Sequence, residues 1–171
     1  MATYGTIGDA TSYYTARGTQ APWEAADDSV KTAKLQVATD WIDRHYGSKF
    51  PGSKVGGRSQ VLQWPRVRAY DANGELIAND EIPVEVVNAT YEAAYRELIT
   101  PGSLSPDYTG SAAIKRELKK LDKLEKEVEY FDNAASAGNA TPIFYAIDDI
   151  LAPILTGAVL NKTSVSYIQR A

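Results

Sequence analysis

The segment around Trp64 combines aromatic and cationic side chains. Trp64 precedes Pro65, and a proline ring pushes the residue before it into extended geometry, so no helix passes through this point. Arg66, Arg68 and Tyr70 follow within the next six residues. Flat rings beside guanidinium groups can stack on the bases of single-stranded nucleic acid. The segment therefore predicts a stacking platform, or an anchor that fixes its own loop while Arg66 and Arg68 face a neighbouring molecule.

The remaining polar residues do not predict catalysis. His45, the only histidine, lies at the end of a long helical pattern, where the helix dipole favours a cation, so a capping or solvated role is expected. Asp40 and Asp43 accompany an arginine on the same helix, which is typical of a solvated face. The glycine-rich stretch 52–58 lacks the spacing of a phosphate-binding loop, and no serine has nucleophile-elbow context. We expect no enzymatic activity and no cofactor.

Composition narrows the class of protein further. The chain has 171 residues, a net charge of -4 and no cysteine, which excludes disulfides and thiolate metal sites, and a single histidine cannot build a zinc site. No apolar run approaches the ~18 residues of a membrane span, and the start lacks the pattern of a secretory signal. Eleven tyrosines and three tryptophans accompany only three phenylalanines, a bias typical of protein interfaces.

Three helical patterns position the Trp64 segment. The first covers 6–17, with Thr6 and Asp9 in capping-box positions and Gly18 as its end. A break at 21–23 leaves Trp23 free to pack against the next helix. The second pattern covers about 30–46, and its predicted core face is Leu35, Ala38, Ile42 and Tyr46, widened by Val37 and Trp41. We expect Trp64 to pack near Trp41 and Ile42.

The third helix comes after a long irregular loop. The loop, residues 47–81, carries five glycines, and Asn73-Gly74 predicts a tight turn in its second half. The helix is predicted to start with Pro83 at its first position and to run to Thr100. Its predicted core face is Val86, Val87, Thr90, Ala94 and Leu98.

The last third of the chain is less regular. After a Ser/Pro/Gly linker, 101–110, residues 111–131 have leucines at helical spacing but also a strand-like alternation at 124–130, and propensity favours helix. The lysines and arginine of 115–126 alternate with acidic residues, so this segment predicts a solvated, salt-bridged face and not a nucleic-acid patch. A short apolar helix is predicted over 143–155, with Asp148 and Asp149 facing away from its apolar side.

Residues 156–171 show no core pattern and predict an extended terminal arm. Alternation around Val165 and Tyr167 suits an edge strand that is added to another protein's sheet. A disordered terminus is the alternative. The fold class predicted is mainly α with a small β component: one compact helical domain, 1–155, and the arm, 156–171.

The order of these signals resembles a known family. The motifs are Asp9-Ala10-x-x-Tyr13, Arg17-Gly18, Trp23, Ala38-Thr39-Asp40-x-Ile42-Asp43, Gln60-x-Leu62-x-Trp64-Pro65-Arg66, Ile82-Pro83, Lys115-Arg116-Glu117, Glu127-Val128-Glu129-Tyr130 and Leu151-Ala152-Pro153-Ile154-Leu155. Together they resemble tailed-phage proteins labelled DnaT-like single-strand-binding proteins, a group similar to head-tail adaptors. The likeness covers nearly the whole chain, except that 118–126 lacks the glycine expected of the family.

The resemblance implies a helical domain with a β-hairpin, assembled as a roughly twelve-fold ring under the phage portal. It favours a strand for Glu127 to Phe131, whereas 114–123 could still be helical. The implied partners are other copies of the chain, the portal, a stopper or tail-completion protein, and the genome in transit, with no membrane. The implied location is the virion neck, after synthesis in the host cytoplasm. The partner-binding residues expected are Trp64, Arg66, Arg68, Tyr70, Val165, Tyr167, Ile168 and Arg170.

These observations favour two functions. A connector subunit fits the acidic net charge, because a channel through which DNA slides should not retain phosphates. A replication protein that binds single-stranded DNA through Trp64, Arg66, Arg68 and Tyr70 is the alternative.

Overall fold

Helices dominate the part of the chain that the structure describes, and two small antiparallel sheets accompany them there. The computed structural model describes residues 2–105, 114–119, 126–130 and 144–155. The helices described are α1 (Ile7–Ala16), α2 (Gln20–Glu24), α3 (Asp28–Tyr46), α4 (Val84–Ile99) and α5 (Tyr145–Leu151). The strands are β1 (Ser53–Lys54) paired with β2 (Arg66–Val67), and β3 (Ile114–Lys119) paired with β4 (Lys126–Tyr130). The predicted fold class, mainly α with a small β component, is confirmed.

The chain is divided into two compact units. One contains Met1–Leu104 and Phe144–Ala171, and the other contains Ser105–Ile143. The predicted arm, 156–171, with Val165, Tyr167, Ile168 and Arg170, lies outside the described residues, so the boundary at 155 stays a prediction. Within the described parts of the chain, no helix combines the length and hydropathy needed to cross a bilayer.

The first helix forms as its capping residues predict. The Thr6 hydroxyl accepts a hydrogen bond from the Asp9 backbone N–H at 3.2 Å and donates one to the Asp9 carboxylate at 2.7 Å. Gly18 ends this region with a positive φ of 69°. The break predicted at 21–23 is instead a helical turn, α2, which places Trp23 fully inside the core.

The long helix α3 supplies one wall of the core. It starts two residues before the predicted Val30, and its buried residues are Leu35, Ala38, Thr39, Trp41, Ile42 and Tyr46. The prediction that Val37 widens this face is wrong, since the Val37 side chain is 40% exposed. Val37 follows Leu35 by two residues, which is about 200° around a helix.

Helix α4 packs against α3 and contributes Tyr91 to the aromatic core. Pro83 is the residue just before the helix, one position earlier than predicted. Val86, Thr90 and Ala94 are buried as predicted, and Val87 and Leu98 pack at the edge of the core.

Tyrosines fill much of this core. The Tyr14 hydroxyl donates to the Tyr91 carbonyl at 2.6 Å, and the Tyr14 ring lies 4.9 Å from the Trp23 ring. Tyrosine and tryptophan side chains with almost no exposure are Tyr4, Tyr14, Tyr46, Tyr91, Trp23, Trp41 and Trp64. These tyrosines and tryptophans pack in the core of the protein. The high tyrosine and tryptophan content therefore does not by itself indicate a protein interface.

The C-terminal helical segment closes the core. Helix α5 continues into a 3-10 turn, Ala152–Ile154, and Ile147, Leu151 and Ile154 are buried. The prediction that Asp148 faces away from the core is wrong. Its carboxylate accepts a hydrogen bond from the Tyr46 hydroxyl at 2.6 Å, because a buried phenol requires a polar partner. Burial and this carboxylate raise the pKa of Tyr46.

The second unit contains the β3–β4 pair. The register runs from Ile114 opposite Tyr130 to Lys119 opposite Lys126, with an irregularity between Ile114 and Arg116. The strand expected over 127–131 is confirmed for 127–130, and the helix favoured by propensity is wrong for 114–119; residues 120–123 and 131 lie outside the described residues. Helix propensity is a weak determinant, and pairing with β4 gives this backbone an alternative set of hydrogen-bond partners.

Candidate interaction site

The long loop, residues 47–81, is fixed to the core by buried side chains. Phe50, Trp64, Ala69 and Ile77 are all buried, and the Trp64 side chain is only 1% exposed. The Trp64 ring meets the Phe50 ring edge-on, with 5.6 Å between their centroids. The predicted burial of Trp64 is therefore confirmed, although the ring that it meets belongs to the loop itself.

A polar network holds the backbone beside Trp64. The Trp64 N–H donates to the Tyr4 hydroxyl oxygen at 3.1 Å, and that hydroxyl donates to the Asp43 carboxylate at 2.6 Å. The other Asp43 oxygen accepts from the Gln63 N–H at 3.0 Å. Burial raises the pKa of Asp43, and the bonds from Tyr4 and Gln63 oppose that shift. The solvated role predicted for Asp43 is wrong, because this carboxylate joins α3, the N-terminal segment and the loop.

Arg66 is directed into the protein. Its side chain is 7% exposed, and its Nε donates to the Pro51 carbonyl at 2.6 Å. One terminal nitrogen donates to the Gly52 carbonyl at 2.8 Å, and the other to the Gln63 side chain at 3.1 Å. The predicted contact between Arg66 and a neighbour is wrong, since its donors join two stretches of the loop, 50–52 and residue 63.

A reversal of backbone geometry separates Arg66 from the exposed residues that come after it. Arg68 has a positive φ of 55°, which is uncommon for any residue with a β-carbon. Gly52 lies directly against this part of the backbone. A β-carbon at Gly52 would collide with the Val67 carbonyl oxygen and the backbone around Arg68. Beyond this point Ala69 is buried, while Arg68 and Tyr70 are exposed. The four predicted residues are therefore split, with Trp64 and Arg66 inside and Arg68 and Tyr70 outside.

The predicted turn at Asn73-Gly74 closes a small hairpin, residues 70–76. Tyr70 and Leu76 pair across it in an antiparallel bridge. The Asp71 carboxylate accepts from the backbone N–H groups of Asn73 at 2.9 Å and Glu75 at 2.8 Å. Hydrogen bonds from Glu75 and Asn73 lower the pKa of Asp71. The tight turn is confirmed, and the side chains of Tyr70 and Leu76 are exposed to solvent.

The Gln60 side chain also holds the glycine-rich part of the loop, residues 52–60, in place. The Gln60 amide oxygen accepts from the Gly56 N–H at 2.9 Å, and its nitrogen donates to the Pro65 carbonyl at 2.9 Å. The Lys54 ammonium donates to the Gln60 carbonyl at 2.8 Å. The Lys54 ammonium thus stabilises the loop, whereas the Arg58 side chain is exposed on the loop surface.

Surface depressions lie beside these elements in the described part of the chain. A groove of about 640 Å³ lies beside the loop and is lined by Asp40, Asp43, Arg44, Gly47, Ser48, Val61, Leu62 and Gln63. A smaller depression of about 260 Å³, which we name the notch, is lined by Tyr95, Arg96, Ile99, Thr100, Ser103 and Phe144.

Metal-ligating side chains do not cluster in the described parts of the chain, where no group of three lies close together. His45 stacks on Trp41 with 4.9 Å between the ring centroids, and burial lowers its pKa. Its ring thus extends the aromatic packing at the end of α3.

Comparison with known proteins places the chain in a family. No significant match was found among curated proteins or among solved structures. A family model described as "Putative DnaT-like ssDNA binding protein" matches residues 1–170. Because this match covers all but the final residue, the chain belongs to the family that carries that description.

Proposed function

We propose that the protein is a structural subunit of a phage head-tail connector. In this proposal, copies of the chain form a ring, twelve-fold as the resemblance implies, that docks on the portal. The ring links the portal to a stopper or tail-completion protein and forms part of the DNA channel. The subunit acts without catalysis or cofactor, in the neck of the virion.

The burial of Trp64 and Arg66 is the observation that carries the proposal. A platform for single-stranded DNA needs exposed ring faces and available cations. Here the central ring is 1% exposed, and the guanidinium beside it donates to carbonyl groups of its own loop. The most specific motif of the chain is thus a determinant of folding, which weakens the DNA-binding alternative and leaves assembly as the better interpretation.

Charge and the β3–β4 unit support the same proposal. A net charge of -4 disfavours retention of DNA phosphates in a channel. The second unit contains the paired strands β3 and β4, and a two-stranded hairpin becomes more stable when a further strand or a helix packs on it. Neighbouring subunits of a ring are a source of the additional packing that such a hairpin requires.

Electron microscopy of the protein mixed with its cognate portal tests the proposal. We expect an added ring of density on one face of the portal. A variant lacking 157–171 should keep the parent's melting temperature yet fail to assemble on the portal, because the arm is proposed to make that attachment. Portal particles that are unchanged by the intact protein would contradict the connector function, and normal assembly of the truncated variant would contradict the role of the arm.

Binding of single-stranded DNA remains the second candidate, favoured by the description of the family and by two exposed side chains, Arg68 and Tyr70. Fluorescence anisotropy with labelled single strands at physiological salt should show no saturation in the low-micromolar range, given the acidic balance. Tight, saturable binding that is lost in Arg68→Ala and Tyr70→Ala, but kept in the exposed control Tyr145→Ala, would favour the replication function instead.

A further inference from the structure

The 70–76 hairpin presents an apolar pair on a rigid support. Tyr70 is 52% exposed and Leu76 is 61% exposed, and the two residues lie opposite each other in the antiparallel bridge. The Asp71 carboxylate holds the turn, and the Ala72 N–H donates to the Pro153 carbonyl at 2.7 Å. Glu75 adds an exposed carboxylate to the turn. We name this feature, Tyr70 and Leu76 with their acidic turn, the knob.

The notch has the complementary character. It lies between the last turns of α4 and Phe144, and Ile99, 53% exposed, forms part of its lining. The Arg96 guanidinium lines the notch, 5.8 Å from the centroid of the Phe144 ring, and its Nη1 pairs with the Glu92 carboxylate at 2.9 Å. The Ser103 hydroxyl is buried there and has no hydrogen-bond partner among the residues that the structure describes. The notch therefore offers an apolar lining that includes one guanidinium group.

The knob and the notch lie at opposite ends of one helical segment. The knob is bonded to Pro153, after α5, and the notch includes Phe144, just before α5. At 1.5 Å per residue in α5 and 2.0 Å in the 3-10 turn, these two positions are about 15 Å apart. A knob held rigidly at one end cannot fill the notch at the other end of the same subunit, but it can enter the notch of a second copy.

We propose that the knob of one subunit inserts into the notch of the next copy of this chain. Tyr70 and Leu76 contact Ile99 and Phe144, while the acidic turn approaches Arg96. The contact joins two different surfaces, so it is heterologous, and heterologous contacts generate rings when the rotation between subunits closes. This inference rests on the proposed ring and names the surfaces through which its subunits meet.

Disulfide trapping tests the contact, and the absence of cysteine from the chain makes the test clean. The variant with both Leu76→Cys and Ile99→Cys should form a ladder of dimers, trimers and larger species on non-reducing gels after mild oxidation. Each copy then carries one knob cysteine and one notch cysteine, so crosslinking propagates. A mixture of the two single variants should stop at the dimer, because each copy has only one partner cysteine.

A matched control replaces the notch cysteine with one on an exposed face of α3. The variant with Leu76→Cys and Val37→Cys should crosslink only at the background rate of random collisions. Glu75→Arg, added to the knob-and-notch pair, should slow the ladder because it places like charge near Arg96. Equal crosslinking in the control, or no crosslinking of the knob-and-notch pair, overturns the proposal.

The two proposals fail separately. A crosslinking ladder, together with no added density on the portal in electron microscopy, would support the subunit contact and contradict the connector function. A ring on the portal whose subunits do not crosslink through positions 76 and 99 would keep the connector function and overturn the knob-and-notch contact.

Discussion

Replacing Trp64 with alanine should lower the free energy of unfolding by about 3–5 kcal/mol. The side chain is almost completely buried, its ring packs edge-on against Phe50, and its backbone N–H is bonded to Tyr4. Removal of the indole leaves a cavity between the long loop and the core, and the network fixed by Tyr4 and Asp43 limits collapse of that cavity. Chemical denaturation followed by circular dichroism measures the change.

Tyr70→Ala is the matched control for Trp64→Ala. It removes another large aromatic residue of the same loop, but from a position that is about half exposed. Surface substitutions of this kind usually change stability by no more than about 0.5 kcal/mol. If Trp64→Ala unfolds at the denaturant concentration of the parent, the buried indole does not stabilise the fold.

Arg66→Met should destabilise the protein by about 2–4 kcal/mol, although it preserves a long side chain and removes a charge from the interior. Methionine fills much of the same space, so the expected loss comes from the hydrogen bonds to Pro51, Gly52 and Gln63. A fully buried carbonyl left without a donor costs about 1–3 kcal/mol; part-buried carbonyls cost less, and removal of the interior charge offsets part of the loss. The same denaturation experiment measures the loss.

Arg68→Met and Arg66→Lys complete the comparison. Arg68 is exposed, two residues away, so its replacement should leave the midpoint of unfolding almost unchanged. Lysine at position 66 keeps the charge but lacks the planar fork that reaches several carbonyl groups at once, so Arg66→Lys should lose most of the same stability. A fully stable Arg66→Met variant would show that these hydrogen bonds add nothing net to folding.

Capping residues, apolar spacing and turn residues in the sequence correctly predict several helices and one turn. Thr6 and Asp9 mark the start of α1, the apolar spacing of α3 and α4 marks most of their buried faces, and Asn73-Gly74 marks the hairpin turn. Each of these signals depends on residues within a few turns of one another. Helix propensity alone predicts the wrong structure for 127–130. The strand there is predicted by the family resemblance.

The candidate site is less predictable because it depends on contacts between distant segments. Trp64 and Arg66 are two residues apart, so an extended chain directs them to the same side, but it does not reveal which side faces the core. The positive φ of Arg68 then reverses the alternation, so that Ala69 is buried where a regular strand would bury residue 68. Asp43 is likewise paired with Tyr4, thirty-nine residues earlier, which no local pattern indicates.

The burial of every tryptophan has a spectroscopic consequence. Trp23, Trp41 and Trp64 are each no more than 4% exposed, and they lie in different segments that all contribute to one core. Indole emission shifts when water reaches the ring, so intrinsic fluorescence of this protein reports loss of the core and is insensitive to events at its surface. Tyr70, in contrast, is available to the solvent. A fluorescent label near that residue would report the proposed docking of subunits, while the tryptophan signal shows in the same sample whether each subunit has stayed folded.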